Sequence, residues 1–315
     1  MVKPSGVLRA GVIGTGAFGR HHAAKYAQMD GVQLTAIADP NAETRHAMAT
    51  QHGIETFADW RQLLGKVDLV SVCSPAVTHA PIVRAFLKSG AHVLVEKPIA
   101  TTLAEADELI AIADERGLVL TVGHQERFVF ARSGLLDYAD TPLEVSCWRT
   151  GPWTGRGADV SVVLDLMIHD LDLVHRLIPG VVISAEAFAR SEHGAKADEV
   201  TGVLTFENGS QARLHASRIA HSRKRGMRVV YEDGIIEIDF MTREIHNTTR
   251  RTLDDLRFDD PLGEAVATFV RAVRDGSEAF VRPEEARHAL ETALTIEKAT
   301  RASTWRHRAE QIAAA

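Results

Sequence analysis

Short, predominantly apolar runs alternate with amphipathic stretches through the first third of the chain. Val7–Ile13 and Val32–Ala38 have few polar positions, a pattern typical of strands that are buried on both faces of a sheet. Further strands are predicted at Asp68–Cys73, Ala91–Val95 and Leu118–Val122, and helices at Phe18–Met29, Asn41–His52, Thr78–Lys88 and Leu103–Arg116. This alternation predicts βαβ units that build a parallel, doubly wound sheet, the α/β Rossmann arrangement.

The pattern changes after Gly123. Asn208-Gly209 and Asp233-Gly234 each stand between two strand-like segments, and such pairs favour hairpin turns because both turn residues need a positive φ. The predicted strands are Leu143–Trp148, Val200–Phe206, Gln211–Ala216, Met227–Tyr231 and Ile235–Asp239, and the predicted helical segments are Gln125–Tyr138, Val160–Ile178, Glu264–Arg274 and Pro283–Arg301. We therefore predict a Rossmann domain over residues 1–122 and an α+β domain with an open, predominantly antiparallel sheet over residues 123–315.

Composition excludes several classes of function. The chain has 315 residues and a net charge of −6, and its basic residues are too scattered to predict a nucleic-acid surface. The first residues lack a signal-peptide core, and no apolar run reaches the ~20 residues that cross a bilayer. Cys73 and Cys147 stand in strand-like runs, and no HExxH or paired CxxC spacing suggests a metal. We expect a soluble, cytoplasmic protein with reduced thiols and no metal site.

A glycine-rich turn follows the first predicted strand and opens a helix. In it Gly14 permits a tight turn, Gly16 lets a pyrophosphate approach the backbone, and Gly19 lets helix and strand pack closely. Asp39 ends the second strand, 20 residues beyond Gly19, where its carboxylate would accept hydrogen bonds from an adenosine ribose. The same charge would repel a 2′-phosphate, so the sequence predicts a dinucleotide site that prefers NAD to NADP.

Two polar motifs follow neighbouring strands at the sheet edge where open α/β folds bind ligands. Ser74-Pro75 alone would pass as a turn, and Glu96-Lys97-Pro98 alone as a surface ion pair before a helix. Their shared position beside the dinucleotide crevice favours a functional role. The residues predicted to bind the cofactor are Gly14, Thr15, Gly16, Ala17, Phe18, Gly19, Asp39, Ser74, Pro75, His79, Glu96, Lys97 and Gln125.

An ionisable stripe runs along the otherwise apolar helix predicted at Val160–Ile178. Within about a 60° arc, at 100° per residue, lie Asp165, His169, Asp172 and Arg176. Because an unpaired buried charge is costly, the stripe must either form an internal ion-pair network or line a cleft. The helix alone leaves both interpretations open, and the predicted dinucleotide site favours the cleft.

Together these motifs resemble those of the glucose-fructose oxidoreductase/inositol dehydrogenase/MocA (GFO/IDH/MocA) family. The chain carries, in the family's order and spacing, the glycine-rich turn, Ser74-Pro75, Glu96-Lys97-Pro98 and the run Asp165-x-x-x-His169-Asp170-x-Asp172. The resemblance spans essentially the whole chain. It implies a Rossmann domain followed by a domain with an open mixed sheet, a nicotinamide cofactor, and Lys97, Asp165 and His169 as the catalytic residues.

A finer resemblance points to the UDP-N-acetylglucosamine 3-dehydrogenase branch of that family. It rests on Gly14–Gly19, Glu126-Arg127-Phe128 and Val162–Val174. Family members with inositol-type substrates often carry Gly-Gly before the catalytic helix, whereas Ser161-Val162-Val163 stands here. The implied activity is NAD-dependent oxidation of a secondary hydroxyl on a sugar or sugar nucleotide.

Other activities stay open at this point. The chain is also compatible with an inositol or free-sugar dehydrogenase, or with an enzyme that uses transient oxidation by NAD for elimination or glycoside cleavage. A non-catalytic, NAD-responsive binding protein is disfavoured, because Lys97 and His169 are both present. The basic run His221–Arg225 suits either a diphosphate contact or, more commonly for such residues, the solvated start of a strand or an oligomer contact.

Hydride transfer from a carbinol needs a base for the hydroxyl proton, and the reverse reaction needs an acid. Imidazole ordinarily titrates near neutral pH, which suits His169 to this role. Asp165 would hold the His169 ring or bind a hydroxyl, and Lys97 would hydrogen-bond the reacting oxygen. The sequence leaves open how Lys97 and His169 divide the proton transfer. The residues predicted to bind the substrate are Lys97, Arg127, Trp153, Arg156, Asp165 and His169.

The second domain also predicts self-association. It has too few helices to cover both faces of its sheet, so we expect an apolar face on Val200–Phe206 and Gln211–Ala216 to stay uncovered. Such a face usually contacts another copy, which predicts a homodimer or homotetramer. The other expected partner is a small sugar-like substrate, without nucleic acid or membrane.

Overall fold

The computed structural model describes residues 6–254 and 260–313. It forms two compact units, of which the first comprises the chain to Gln125 together with Asp260–Arg287, and the second the remainder. The predicted division into residues 1–122 and 123–315 stays a prediction. The compact units differ from it mainly because Asp260–Arg287 belongs to the first unit. No helix in the described ranges is long and apolar enough to cross a membrane.

A parallel sheet of six strands lies at the centre of the first unit. The strands are β1 (Leu8–Ile13), β2 (Val32–Ala38), β3 (Glu55–Phe57), β4 (Leu69–Val72), β5 (His92–Val95) and β6 (Leu120–Val122), and the helices between them include α1 (Gly19–Ala27), α2 (Ala42–His52), α3 (His79–Lys88) and α4 (Leu103–Arg116). The strand order is β3-β2-β1-β4-β5-β6, so the order reverses beside β1. The predicted Rossmann fold is confirmed. β3 was not predicted, because three half-exposed residues give no pattern.

The second unit contains a mixed sheet of seven strands. They are β7 (Glu144–Thr150), β8 (Val182–Arg190), β9 (Glu199–Phe206), β10 (Gln211–Ser217), β11 (Lys224–Tyr231), β12 (Gly234–Asp239) and β13 (Ile245–Asn247), and its helices are α5 (Glu126–Ala131), α6 (Ile168–Leu177) and most of α8 (Pro283–Ala313). The order is β13-β12-β11-β7-β10-β9-β8, and only the β7–β10 pair is parallel. Both predicted hairpins and the predominantly antiparallel sheet are confirmed.

Helix α7 (Pro261–Asp275) packs on the Rossmann sheet although it comes late in the chain. Phe269 and Val270 of α7 share one apolar core cluster with Leu8 and Tyr26. The amphipathic pattern of α7 predicted a helix correctly, but such a pattern does not specify the surface on which a helix packs. Burial of these apolar side chains in the core of the first unit therefore determines where α7 packs.

The expectation of an uncovered apolar face on β9 and β10 is wrong. Val200 and Leu204 are fully buried, and the glycine between them, Gly202, lies against Ile296 of α8. The opposite face of the same strands carries polar side chains such as Thr201 and Arg213. Helices thus cover the apolar face, and period-two alternation leaves a largely polar face uncovered.

His175 on α6 is a half-buried group whose charge state is tied to folding. Its ring stacks on His288 with centroids 3.9 Å apart, and its Nε2 lies 2.8 Å from Thr292 Oγ1. Burial, together with the charge of His288, lowers the pKa of His175 to about 4. An unfolded histidine has a pKa of ~6.5. Between pH 4 and pH 6.5 the unfolded chain therefore binds a proton at this histidine and the folded chain does not.

We expect His175 to make folding acid-sensitive. Its contribution is complete above about pH 6.5 and is lost as the pH falls toward 4, by up to about 3 kcal/mol. His175→Gln should flatten this part of the curve of unfolding free energy against pH, whereas His246→Gln, on the exposed end of the sheet, should not. Urea unfolding between pH 7.5 and 4.5 measures the slopes. Parallel curves for all three proteins would contradict the assignment.

Candidate active site

The glycine-rich turn joins β1 to α1 with the shape that a dinucleotide requires. Gly14 has a φ of 79°, and a Cβ there would lie 2.9 Å from the backbone of Ser74. A Cβ on Gly19 would lie 1.8 Å from the Gly14 carbonyl oxygen, so only glycine permits this approach. A Cβ on Gly16 would meet no heavy atom beyond its chain neighbours within 4 Å. The turn therefore leaves its backbone open at Gly16, at a helix N-terminus that favours phosphate.

Asp39 directly follows β2, and its carboxylate binds the glycine-rich turn. Oδ2 accepts the Thr15 N–H at 2.7 Å, and Oδ1 accepts the Asn41 N–H at 2.9 Å. Arg45 donates instead to the carbonyl oxygens of Asp39 and Pro40, at 2.8 and 3.0 Å. Each carboxylate oxygen can accept more than one hydrogen bond, so Asp39 fits both this anchoring role and the ribose hydroxyls of NAD. Of the remaining turn residues, Ala17 is half-buried and Phe18 is exposed.

A buried chain of polar side chains leads to Glu96, the residue before Lys97. The Tyr26 hydroxyl lies 2.7 Å from Ser71 Oγ, and Ser71 Oγ lies 3.0 Å from His22 Nδ1. His22 Nε2 lies 3.1 Å from Glu96 Oε1. Because a carboxylate only accepts, His22 donates from Nε2 to Glu96. Burial alone would raise the pKa of Glu96, but the hydrogen bond from His22 and the charge of Lys97 hold it below its usual range.

The predicted residue Gln125 joins the same chain. Its Nε2 donates to Glu96 Oε1 at 3.1 Å, and a Cβ on Gly123 would lie 2.6 Å from that oxygen. Glu96 is thus held by His22 of α1 and by Gln125, which follows β6. The half-buried Lys97 follows it directly at the end of β5. Sequence reasoning missed His22 as a partner of Glu96, because the two residues lie 74 positions apart.

His79 links the loops that follow β4 and β5. Its Nε2 lies 2.9 Å from the Ser74 carbonyl oxygen and its Nδ1 lies 2.7 Å from that of Pro98. Burial lowers the pKa of His79, and the hydrogen bonds to the two carbonyl oxygens partly oppose that shift. Ser74 Oγ also accepts the Thr78 hydroxyl at 2.7 Å, while Pro75 is exposed. Direct contact of His79 with a cofactor stays a prediction.

The helix that carries Asp165 and His169 departs from the predicted single α-helix over Val160–Ile178. Val163–Met167 forms a π-helical turn, and α6 begins only at Ile168. A π turn changes the angular step per residue, so the arc predicted at 100° per residue is wrong for Asp165. Asp165 and His169 are both half-buried. Single π turns inside helices are frequent at functional sites.

Two other acidic residues of α6 are held in buried ion pairs. Asp170 Oδ1 accepts from Arg149 Nη2 of β7 at 2.7 Å, and Asp172 Oδ2 accepts from Arg127 Nε of α5 at 3.0 Å. All four side chains are almost fully buried. Arg127 is therefore engaged by Asp172, and its predicted contact with substrate stays a prediction. Arg176, the last residue of the predicted stripe, is exposed.

The loop before this helix is fixed against Asp165 and against the sheet. A Cβ on Gly157, which has a φ of 67°, would lie 2.2 Å from Asp165 Oδ2. Arg218 donates to the Gly157 carbonyl oxygen at 2.6 Å and to Asp198 Oδ1 at 2.8 Å. Its guanidinium also lies over Trp153, 5.2 Å from the ring centroid. Neither Arg218 nor Asp198 was predicted, since nothing near them in the sequence marks this contact.

The predicted substrate residues on that loop differ in their surroundings. Trp153 stacks on His193 with ring centroids 4.1 Å apart, and Arg156 is exposed. Lys97 belongs to the first unit, whereas Arg127, Trp153, Arg156, Asp165 and His169 belong to the second. Their roles toward substrate stay predictions.

Residues 8–124 match a family described as an oxidoreductase family with an NAD-binding Rossmann fold, and residues 132–237 match the GFO/IDH/MocA C-terminal domain. The chain is 33% identical over 308 residues to UDP-N-acetylglucosamine 3-dehydrogenase of Acidithiobacillus ferrooxidans, covering 94% of this chain and 98% of that protein. A solved structure of that enzyme has a TM-score of 0.86 at 34% identity, covering 94% of this chain and 98% of its own.

Inositol dehydrogenases are also similar. Myo-inositol 2-dehydrogenase of Thermotoga maritima is 27% identical, covering 90% of this chain and 93% of that protein. The structure of scyllo-inositol dehydrogenase from Lactobacillus casei, solved with NAD(H) and scyllo-inositol, has a TM-score of 0.81 at 18% identity. The match covers 94% of this chain and 98% of the other chain, and at this identity it establishes similarity of fold only.

Proposed function

The chain belongs to the GFO/IDH/MocA family of NAD-binding oxidoreductases, and from this we propose that it oxidises the C3 hydroxyl of a UDP-linked N-acetylhexosamine. The supporting observation is its 33% identity to UDP-N-acetylglucosamine 3-dehydrogenase over 94% of the chain. The inositol dehydrogenase of Thermotoga maritima reaches 27% over a similar length. Ser161-Val162-Val163, in place of Gly-Gly, points the same way.

Each predicted site residue has a separate role in the proposed oxidation. When bound, NAD supplies the hydride acceptor. Gly14–Gly19 holds its phosphates and Asp39 its adenosine ribose. His169 removes the proton from the substrate hydroxyl, and Lys97 donates a hydrogen bond to the same oxygen, where negative charge develops. Asp165 holds the His169 ring or binds a neighbouring substrate hydroxyl.

NADH formation tests the proposal directly. With UDP-N-acetylglucosamine, kcat/KM should exceed that for myo-inositol or free N-acetylglucosamine by about 100-fold or more, because a site built for polar groups discriminates strongly against substrates that lack them. A preference for myo-inositol would replace the proposed substrate by an inositol. Product formed without net NADH would instead indicate elimination or glycoside cleavage.

Cofactor choice should depend on Asp39. Asp39→Ser removes the charge that repels a 2′-phosphate and leaves Arg45 nearby, so the ratio of kcat/KM for NAD over NADP should fall at least about tenfold. Glu43→Ser, an exposed acid on α2, is the matched control and should leave the ratio unchanged. Steady-state kinetics with both cofactors give the ratio. Equal efficiency of the wild-type enzyme with NAD and NADP would remove Asp39 from this role.

We also propose that the protein is a cytoplasmic homodimer or homotetramer. Ile183 and Phe188 on the edge strand β8 expose 65% and 71% of their surface, and apolar side chains on an edge strand commonly contact another copy. Cys73 and Cys147 are free thiols, as is usual in a reducing compartment. A monomeric mass by light scattering at micromolar concentration would exclude the assembly.

A further inference from the structure

A group of arginines lies at one end of the sheet in the second unit. Arg225 of β11 stands directly opposite Arg149 of β7 in their antiparallel ladder. Arg223, just before β11, reaches to within 3.9 Å of a Cβ built on Gly151, where the loop before the catalytic helix begins. We call Arg149, Arg223 and Arg225 the cationic cluster. Alternation along β11 places Lys224 on the opposite face of the sheet.

The two carboxylates beside the cationic cluster, those of Asp170 and Glu126, bind mainly to Arg149. Arg149 donates to Asp170 Oδ1 at 2.7 Å and to Glu126 Oε1 at 3.0 Å. Arg225 Nη1 lies 3.6 Å from the same Glu126 oxygen, an ion pair without a hydrogen bond. Burial and the charge of Arg149 lower the pKa of the half-buried Arg225 guanidinium. The cluster thus holds more positive than negative charge in a partly desolvated place, which an anionic ligand would stabilise.

The cluster contacts the same helix and loop that carry or hold the residues proposed to act on the substrate. Its partner Asp170 directly follows His169 on α6, and the loop that starts beside Arg223 contacts Asp165 at Gly157. In a nucleotide sugar the diphosphate is attached at C1, two bonds from C3. A base that acts on the C3 hydroxyl and a group that binds the phosphates therefore contact neighbouring parts of one substrate molecule.

We propose that Arg223 and Arg225 bind the diphosphate of a nucleotide-sugar substrate, beside the ion-paired Arg149. The planar guanidinium of each donates paired hydrogen bonds to phosphate oxygens, which are short and charge-assisted. This inference rests on the proposed function and names the part of the protein that selects a nucleotide sugar over a neutral one. A free sugar or an inositol brings no charge to this cluster.

Titration with UDP, followed by calorimetry, tests the site without requiring turnover. NAD is present at saturation, so that the phosphate-binding turn of the Rossmann unit is already occupied. Arg223→Gln and Arg225→Gln should each weaken UDP binding at least about tenfold, since each removes charge-assisted hydrogen bonds. Arg225→Lys, which keeps the charge, should retain part of the affinity. Arg228→Gln is the matched control, because Arg228 is an exposed arginine on the other face of β11.

The outcomes separate this site from the proposed function. A selective loss of UDP affinity in the Gln variants supports the site, and a parallel rise in KM for UDP-N-acetylglucosamine places it on the reaction path. UDP affinity equal in all variants, or no UDP binding to the wild-type protein, overturns the site even when UDP-N-acetylglucosamine is oxidised. UDP binding that depends on Arg225, without oxidation of any UDP-sugar, keeps the site and rejects the proposed reaction. Melting temperatures show whether each variant is folded. If Arg225→Gln does not fold, the UDP affinity of Arg225→Lys tests the role of Arg225 instead.

Discussion

His169→Ala should lower the single-turnover rate by about 10²–10⁴-fold, the usual contribution of a positioned acid–base group. NAD affinity should change little, because His169 belongs to a different compact unit from Gly14–Gly19 and Asp39. Lys97→Ala should give a loss of similar size, with some weakening of NAD binding. Rapid-mixing measurements of NADH formation, with the NAD dissociation constant and the melting temperature, distinguish loss of chemistry from loss of binding or folding.

His175→Ala is the matched control for His169→Ala. His175 lies on the same helix, stacked on His288 and bonded to Thr292, with no role in the proposed chemistry. Its replacement should lower the melting temperature and leave the turnover of the folded enzyme close to wild type. A His169→Ala variant that behaves in the same way would make His169 a structural residue and would leave the proton without an acceptor on α6.

The two glycines of the phosphate-binding turn should fail in different ways when replaced by alanine. Gly19→Ala would put a Cβ 1.8 Å from the Gly14 carbonyl oxygen, so the turn must shift, at a cost of about 3 kcal/mol or more. Gly16→Ala meets no such neighbour and should melt like the wild type. It should still weaken NAD at least about tenfold, because the added methyl group occupies the space where the pyrophosphate approaches the backbone.

Thermal unfolding without cofactor and fluorescence titration with NAD separate these two effects. Gly6→Ala provides a control, since Gly6 is exposed and a Cβ there also meets no heavy atom within 4 Å. NAD affinity that is unaffected in Gly16→Ala would show that the phosphates bind elsewhere. Unchanged stability in Gly19→Ala would show that helix and turn are not packed as closely as the structure has them.

Local sequence was sufficient for much of the Rossmann unit. The Gly14–Gly19 turn and Asp39 are recognisable because each residue's role depends on backbone geometry within a few positions of a strand end. The hairpins at Asn208-Gly209 and Asp233-Gly234 are equally local, since their turns require a positive φ that those residues tolerate. Edge strands such as β3 and β8 escaped prediction because β3 has only three residues and the apolar residues of β8 do not alternate regularly with polar ones.

Tertiary structure decided the partners of the polar groups. His22 is joined to Glu96 across 74 positions and Arg149 to Asp170 across 21, and neither pairing has a periodicity that a sequence displays. The same holds for α7, whose amphipathic pattern predicted a helix but did not specify the Rossmann sheet as its neighbour. Repeating patterns record which side of an element is buried. What an element is buried against depends on long-range packing. The same is true of the hydrogen bonds that hold the side chain of Glu96 and of the contacts that fix the loop before Asp165.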